Sequence, residues 1–120
     1  MNEVIEKETN IMDIKIGDII YEIRGIQIIF DSDLAKLYNV ETKRINEAVK
    51  NNPKKFPERY AFRVNEKDYL LLKSKISTSK GGSRKGHTAF TEQGIAMLAT
   101  ILKSNIAVDV SIRIMDAFFA

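Results

Sequence analysis

The sequence predicts an α+β domain, with a small antiparallel sheet packed against about five helices that include a helix-turn-helix-like unit. Three observations point there. Residues 14–30 are dense in Ile, and Ile19, Tyr21 and Ile23 alternate with Glu22 and Arg24, a pattern suited to half-buried strands. Residues 31–50 read as two short helices around a tight turn. From residue 92 onward, apolar side chains recur at helical spacing almost to the last position, Ala120.

The elements follow in order. Residues 1–14 are polar and acidic and are expected to form a flexible tail, which leaves 15–120 as the domain. Strands are expected at about 19–23, 26–30 and 60–64. Arg24-Gly25 makes the first turn, and Ile26, Ile28 and Phe30 face inward on the return strand. A two-stranded hairpin is marginal alone, so helices must cover it. In Tyr60-Ala-Phe-Arg-Val64 the alternation turns Tyr60, Phe62 and Val64 inward.

The two-helix unit runs from Asp31 to Lys50. Asp31 or Ser32 supplies the cap of its first helix, near 33–39, because a short side-chain oxygen accepts from the free amides of an opening turn. Leu34, Ala35, Leu37 and Tyr38 share one face. Asn39 ends the helix, since Asn tolerates the left-handed conformation such a stop needs. Val40 fills the turn and Thr42 caps the second helix, near 42–52. Ile45, Ala48 and Val49 recur at helical spacing, with Ile45 and Ala48 facing inward. Thr42, Lys43, Arg44, Asn46, Glu47 and Lys50 are left outward. Side chains of these kinds read base edges and neutralise phosphates. An ordinary helical hairpin with a solvated face has the same pattern, so the rest of the chain must decide.

Charge favours nucleic acid. The net charge is +3 over 120 residues, but residues 1–30 carry −3, residues 31–90 carry +7 and residues 91–120 carry −1. The excess lies in the block that holds the two-helix unit, as a polyanion contact requires. Lys54 and Lys55 follow the second helix between Pro53 and Pro57. Residues 77–88 contain no acid but do contain Lys80, Ser83, Arg84, Lys85 and His87 among several Gly. Such a stretch is expected to be exposed and mobile, able to lie along a phosphate backbone.

The remaining helices are expected near 66–76, 92–104 and 107–119. Asn65 caps the first of these, with Asp68 completing a capping box. Its inward face is Tyr69, Leu72 and Ile76. Thr91 caps the second, and Gly94 in its first turn implies a closely approaching backbone. The last helix has two apolar stripes, Val108, Ile112, Met115 and Phe119 beside Val110, Ile114 and Phe118. It therefore wants two partners, one being the domain core and the other a second subunit or further chain. The apolar pattern continues to the final residues, so the chain is expected to be the N-terminal piece of a longer protein.

Enzyme chemistry is not expected. His87 is the single His, and the chain has no Cys, which excludes disulfides, thiolate metal sites and a Cys nucleophile. Asp31 and Asp33 are close enough to suggest a metal pair, yet helix capping accounts for both. Gly81-Gly82 lacks the Lys-Ser/Thr and the strand-to-helix context of a phosphate-cradling loop. No cofactor or metal is expected. The lack of Cys, of an apolar run of membrane length and of a signal-peptide layout points to the cytoplasm, with no membrane partner.

Several blocks, taken together, resemble a known family. They are Ile23-Arg-Gly, Asp31-Ser-Asp-Leu-Ala-Lys-Leu-Tyr, Val40-Glu-Thr-Lys-Arg-Ile-Asn-Glu, Phe56-Pro-Glu, Phe90-Thr-Glu-Gln-Gly-Ile-Ala-Met-Leu and Ile112-Arg-Ile-Met-Asp-Ala-Phe. Over residues 15–120 they resemble the ORF-six-N domain of the KilA-N superfamily of phage and prophage regulators. Asn39 stands where relatives often have Gly. The resemblance implies a sequence-specific double-stranded-DNA-binding domain of an antirepressor-like transcriptional regulator. It also implies binding residues on the outward side of 42–50 and within 80–87. The alternative is a protein-interaction module that binds a repressor protein, with a homodimer through residues 107–120 as a further expected partnership.

Overall fold

The computed structural model describes residues 15–73 and 86–118. The expected flexible tail at 1–14 lies outside the described residues. So do most of the glycine-rich stretch, including Lys80, Ser83, Arg84 and Lys85, and the last two residues of the chain.

A 3-10 turn at Ile16–Ile19 leads into strand β1 (Tyr21–Ile23), where a longer strand was expected. Ile16, Ile19 and Ile20 pack on the main core instead of extending the sheet. The hairpin turn is as expected: Arg24 and Gly25 both have positive φ, 52° and 81°, the mirror-image turn that matches strand twist. Strand β2 (Ile26–Phe30) then runs directly into helix α1 (Asp31–Tyr38). Asn39 takes the left-handed conformation, φ 60° and ψ 46°, and Val40 and Glu41 carry the chain into helix α2 (Thr42–Asn51). After a 3-10 turn at Pro53–Lys55 come strand β3 (Ala61–Val64) and helix α3 (Glu66–Lys73). Strand β4 (His87–Phe90), helix α4 (Glu92–Leu102) and helix α5 (Asn105–Phe118) complete the fold.

The sheet is antiparallel with order β1-β2-β4-β3. Its fourth strand was not expected. His87 and Thr88, assigned from sequence to an exposed loop, are strand residues paired with Val64 and Arg63. Four residues hold no visible alternation, and β4 exists because both neighbours supply its hydrogen bonds.

Both faces of the sheet are covered. Ile29, Ala61 and Phe90 join a main core with Leu34, Tyr38, Ile45, Ala48, Ile95, Leu98, Ile114 and Phe118 from α1, α2, α4 and α5. Ile28, Phe30, Val64 and Ala89 point the other way, where Tyr21, Phe62 and α3's Tyr69 and Leu72 pack on them. The expected inward residues therefore split. Phe62 and Val64 face α3, while Tyr60 packs on the main core just before β3. Ile26 is 47% exposed at the hairpin tip, because β2 meets β4 only through Ile29 and Phe30.

Two expected caps are absent and two are present. Phe30 and Glu41 occupy the N-cap positions of α1 and α2 with no side-chain cap, so Asp31 and Thr42 already belong to the first turns. With β2 running straight into α1, there is no linker residue to serve as a cap. Asn65 Oδ1 accepts from Asp68 N at 2.8 Å, and Thr91 Oγ1 accepts from Gly94 N at 3.3 Å. The Thr91 hydroxyl lies 2.9 Å from the Arg59 carbonyl and 3.2 Å from the Tyr60 carbonyl, to which it donates. This seats the start of α4 on the chain entering β3. Gly94 is the close approach the sequence implied, since a Cβ there would collide with the Tyr60 carbonyl oxygen.

Helix α4 stops at Leu102, with Lys103 left-handed at φ 48°, and Ser104 Oγ caps α5 by accepting from Ala107 N at 3.0 Å. On α5 only one stripe is buried: Val110, Ile114 and Phe118, with Ala107 and Ser111. Ile106, Val108 and Ile112 are each just over half exposed, at 52, 52 and 56%. Among the described residues no helix is long and apolar enough to cross a membrane.

Polar contacts tie α1 to α5 and to α3. Tyr38 Oη lies 2.6 Å from Ser111 Oγ, joining α1 to α5. Lys73 Nζ lies 2.8 Å from Asp33 Oδ2 and within 6 Å of the Tyr21 and Tyr69 rings, joining α3 to α1. Burial works against the Lys73 ammonium, but the Asp33 hydrogen bond and charge more than offset it and raise its pKa. Burial also raises that of Tyr38, against the Ser111 hydrogen bond.

Both raised values carry the same sign: each group keeps its proton more tightly folded than unfolded. That stability is fully present below the ordinary values, about 10 for Tyr and about 10.4 for Lys, and is lost as pH rises past them. Urea unfolding followed across pH should show a fall in midpoint setting in near pH 10, smaller in Tyr38→Phe. Gly94→Ala should lower stability by about 2 kcal/mol in the same assay, through overpacking against the Tyr60 backbone.

Candidate nucleic-acid interface

Helix α2 rests on the core through Ile45 and Ala48, with Thr42, Asn46 and Val49 at its margins. Lys43, Arg44, Glu47 and Lys50 are exposed. Among the described residues none of these three cations forms an ion pair. The amphipathy the sequence showed is therefore real: one edge is seated and a cationic ridge stands in solvent. Lys54 and Lys55 are exposed in the 3-10 turn just beyond, and Lys36 is exposed on α1.

Asn46 has a different role from its outward neighbours. Its Nδ2 donates to Asp31 Oδ2 at 2.9 Å and to the Thr42 carbonyl at 3.2 Å. Its Oδ1 accepts from Thr88 Oγ1 at 2.7 Å. Both amide hydrogens are thus engaged inside the protein, and Asn46 bolts α2 to α1 and β4.

The receiving group is Asp31, 3% exposed at the junction of β2 and α1. Besides Asn46, it accepts from Ser32 N at 2.8 Å and from Thr88 N at 3.2 Å. Buried carboxylates require such donors, because an unpaired one carries a heavy desolvation cost. Helix capping does not account for Asp31 and Asp33: Asp31 holds three elements together and Asp33 pairs with Lys73.

His87 is not displayed to solvent either. Its ring stacks on Tyr69, centroids 3.5 Å apart and planes 14° apart, and its side chain is 16% exposed. Nε2 lies 2.9 Å from Glu66 Oε1, and Nδ1 lies 3.9 Å from Asp31 Oδ1. Both ring nitrogens face carboxylates of the protein, an arrangement with no place for a phosphate.

Of the residues selected from sequence, the structure groups Lys43, Arg44, Glu47 and Lys50 on one open face and places Thr42 at its margin. Asn46 and His87 belong to the framework beneath. Arg63 on β3 adjoins this framework. Its Nη1 donates to Thr88 Oγ1 at 2.7 Å, beside Asn46. Strand alternation puts Arg63 on the face of Ala61 rather than that of Phe62 and Val64.

The ORF6N domain family profile matches residues 18–101. No curated protein and no solved structure matches the chain significantly.

If Asn46 is framework, Asn46→Ala should lower stability by about 2 kcal/mol, because Asp31 and Thr88 both lose buried partners. Lys43→Ala should change it by less than about 0.5 kcal/mol, as exposed substitutions do. Urea denaturation of the two variants checks the contrast; equal, small effects would place Asn46 on the free surface.

Proposed function

The chain belongs to the ORF6N domain family, and from that premise we propose that it is a non-enzymatic, sequence-specific double-stranded-DNA-binding domain of a phage-type transcriptional regulator or antirepressor. Family membership is compatible with a phage-type regulatory domain. The observation that carries the finer reading is the open cationic ridge of α2, with Lys43, Arg44 and Lys50 exposed and without ion pairs among the described residues.

On this reading α1 and α2 form a helix-turn-helix unit, and α2 enters the major groove. Arg44 and the two lysines have the chemistry to contact guanine edges or phosphates. Glu47 stands among these cations and weakens any purely electrostatic attraction. Its carboxylate suits the exocyclic amine of cytosine, so its contribution is to sequence choice. Lys54 and Lys55, at the far end of the helix, suit phosphate contacts. Asn46, which the sequence placed among the readers, instead holds the helix in place for them.

A second reading rests on α5. Ile106, Val108 and Ile112 lie exposed on a helix whose opposite face is core, as in a module that grips a repressor or a second copy of the chain. Sedimentation separates those two partners, and salt-dependent retention on duplex DNA separates this reading from the first.

The double variant Arg44→Ala, Lys50→Ala should bind duplex DNA at least about tenfold more weakly at roughly 0.1 M salt. Its slope of log affinity against log salt should be shallower, with the melting temperature held. Fluorescence anisotropy on duplexes selected from a random pool measures both quantities. Unchanged affinity would remove α2 from the interface.

A further inference from the structure

We propose that the bare face of α5 pairs two copies of this chain, their α5 helices lying antiparallel about a two-fold axis. The proposal rests on the second reading above, commits its surface to one partner and does not depend on DNA binding.

The surface comes first. Val108, Ile112 and Met115 follow one another at spacings of four and three residues, so they form one stripe along the helix. Val108 and Ile112 are exposed and Met115 is half-buried. Ala107, Val110, Ser111, Ile114 and Phe118 occupy the opposite face and are buried. Covering a line of apolar side chains that stands in water is favourable.

Charge selects what covers it. Asp109, Arg113 and Asp116 are the charged residues of α5, and all three are exposed. Asp109 and Arg113 each follow a stripe residue by one position, so both lie on the same flank of the stripe, about 100° further round the helix. They are spaced for an ion pair within the helix, yet neither forms one with any described residue.

A two-fold axis lying across the two helices reverses their direction and sets each flank against its own copy. With the axis crossing between Val108 and Ile112, the stripes meet, and Asp109 of each copy comes within reach of Arg113 of the other, twice over. Asp116 of each then lies at the first turn of the other copy's α5, where free amides favour a carboxylate. A parallel pair would instead lay Asp109 and Arg113 along the apolar flank that carries Val108 and Met115. The face is thus complementary to its own reversed copy, which is what a two-fold interface requires.

Size sets the strength. α5 has 14 residues and is about 21 Å long, so one face of it is small beside a standard interface of about 1,600 Å². The dimer is therefore weak and concentration-dependent.

Sedimentation equilibrium of the 120-residue chain, without DNA, tests this with Asp109→Arg and Arg113→Asp. Each variant turns both attractive pairs into repulsive ones and should dimerise at least about tenfold more weakly than wild type, with its far-ultraviolet circular dichroism unchanged. An equimolar mixture of the two should recover the dimer, because one copy then offers two cations where the other offers two carboxylates. Wild type that stays monomeric at about 0.1 mM would overturn the pairing and leave only the repressor form of the second reading. A dimer equally strong in wild type and both variants would also overturn it, by placing the contact elsewhere. Neither result bears on duplex binding, which the Arg44→Ala, Lys50→Ala variant tests separately.

Discussion

One buried carboxylate organises the side of this molecule on which its proposed function lies. Asp31 stands where β2 becomes α1, almost wholly out of water. A carboxylate there is tolerable only if donors converge on it. They arrive from Ser32 in the same turn, from Thr88 on β4 and from Asn46 on α2. Meeting that demand fixes where α2 starts, how it is rotated and how β4 enters the sheet. The cationic ridge faces solvent because the opposite margin of the helix is tied to Asp31 and seated through Ile45 and Ala48.

The platform beneath is held from two directions. Ile28, Ile29 and Phe30 alternate across β2 and anchor both cores at once. Asp33 reaches Lys73 on α3, while Tyr38, further along α1, reaches Ser111 on α5. Helix α1 is therefore joined to elements on both faces of the sheet, and α2 inherits that fixed position through the short turn at Asn39. A surface already held in its working geometry loses little conformational entropy when a partner binds. That suits the recognition role proposed for it.

His87 illustrates how chemistry reads differently once its surroundings are known. In the sequence it sits among glycines and cations, the company of a phosphate ligand. In the structure it stacks on Tyr69, also lies near Phe30, and directs its nitrogens to Glu66 and Asp31. Asn46 changes role for the same reason. Both were assigned by sequence neighbours, and both are governed by residues far away in the chain.

What the sequence by itself determined is what short-range chemistry governs. The hairpin turn at Arg24-Gly25, the left-handed stop at Asn39, the caps at Asn65 and Thr91 and the two-faced character of α2 all depend on residues within a turn or two. The α+β class follows from their order. Only the tertiary structure decided the rest. β4 is too short to declare itself and is a strand because β2 and β3 accept it; Asp31 and Asp33 have local capping partners available, but Asp31 binds residues 15 and 57 positions away and Asp33 one 40 positions away. Of the two apolar stripes on α5, packing buried one and left much of the other bare. In each case the competing local arrangement was chemically sound, and a buried long-range contact won because leaving its polar or apolar groups unpartnered would have cost more.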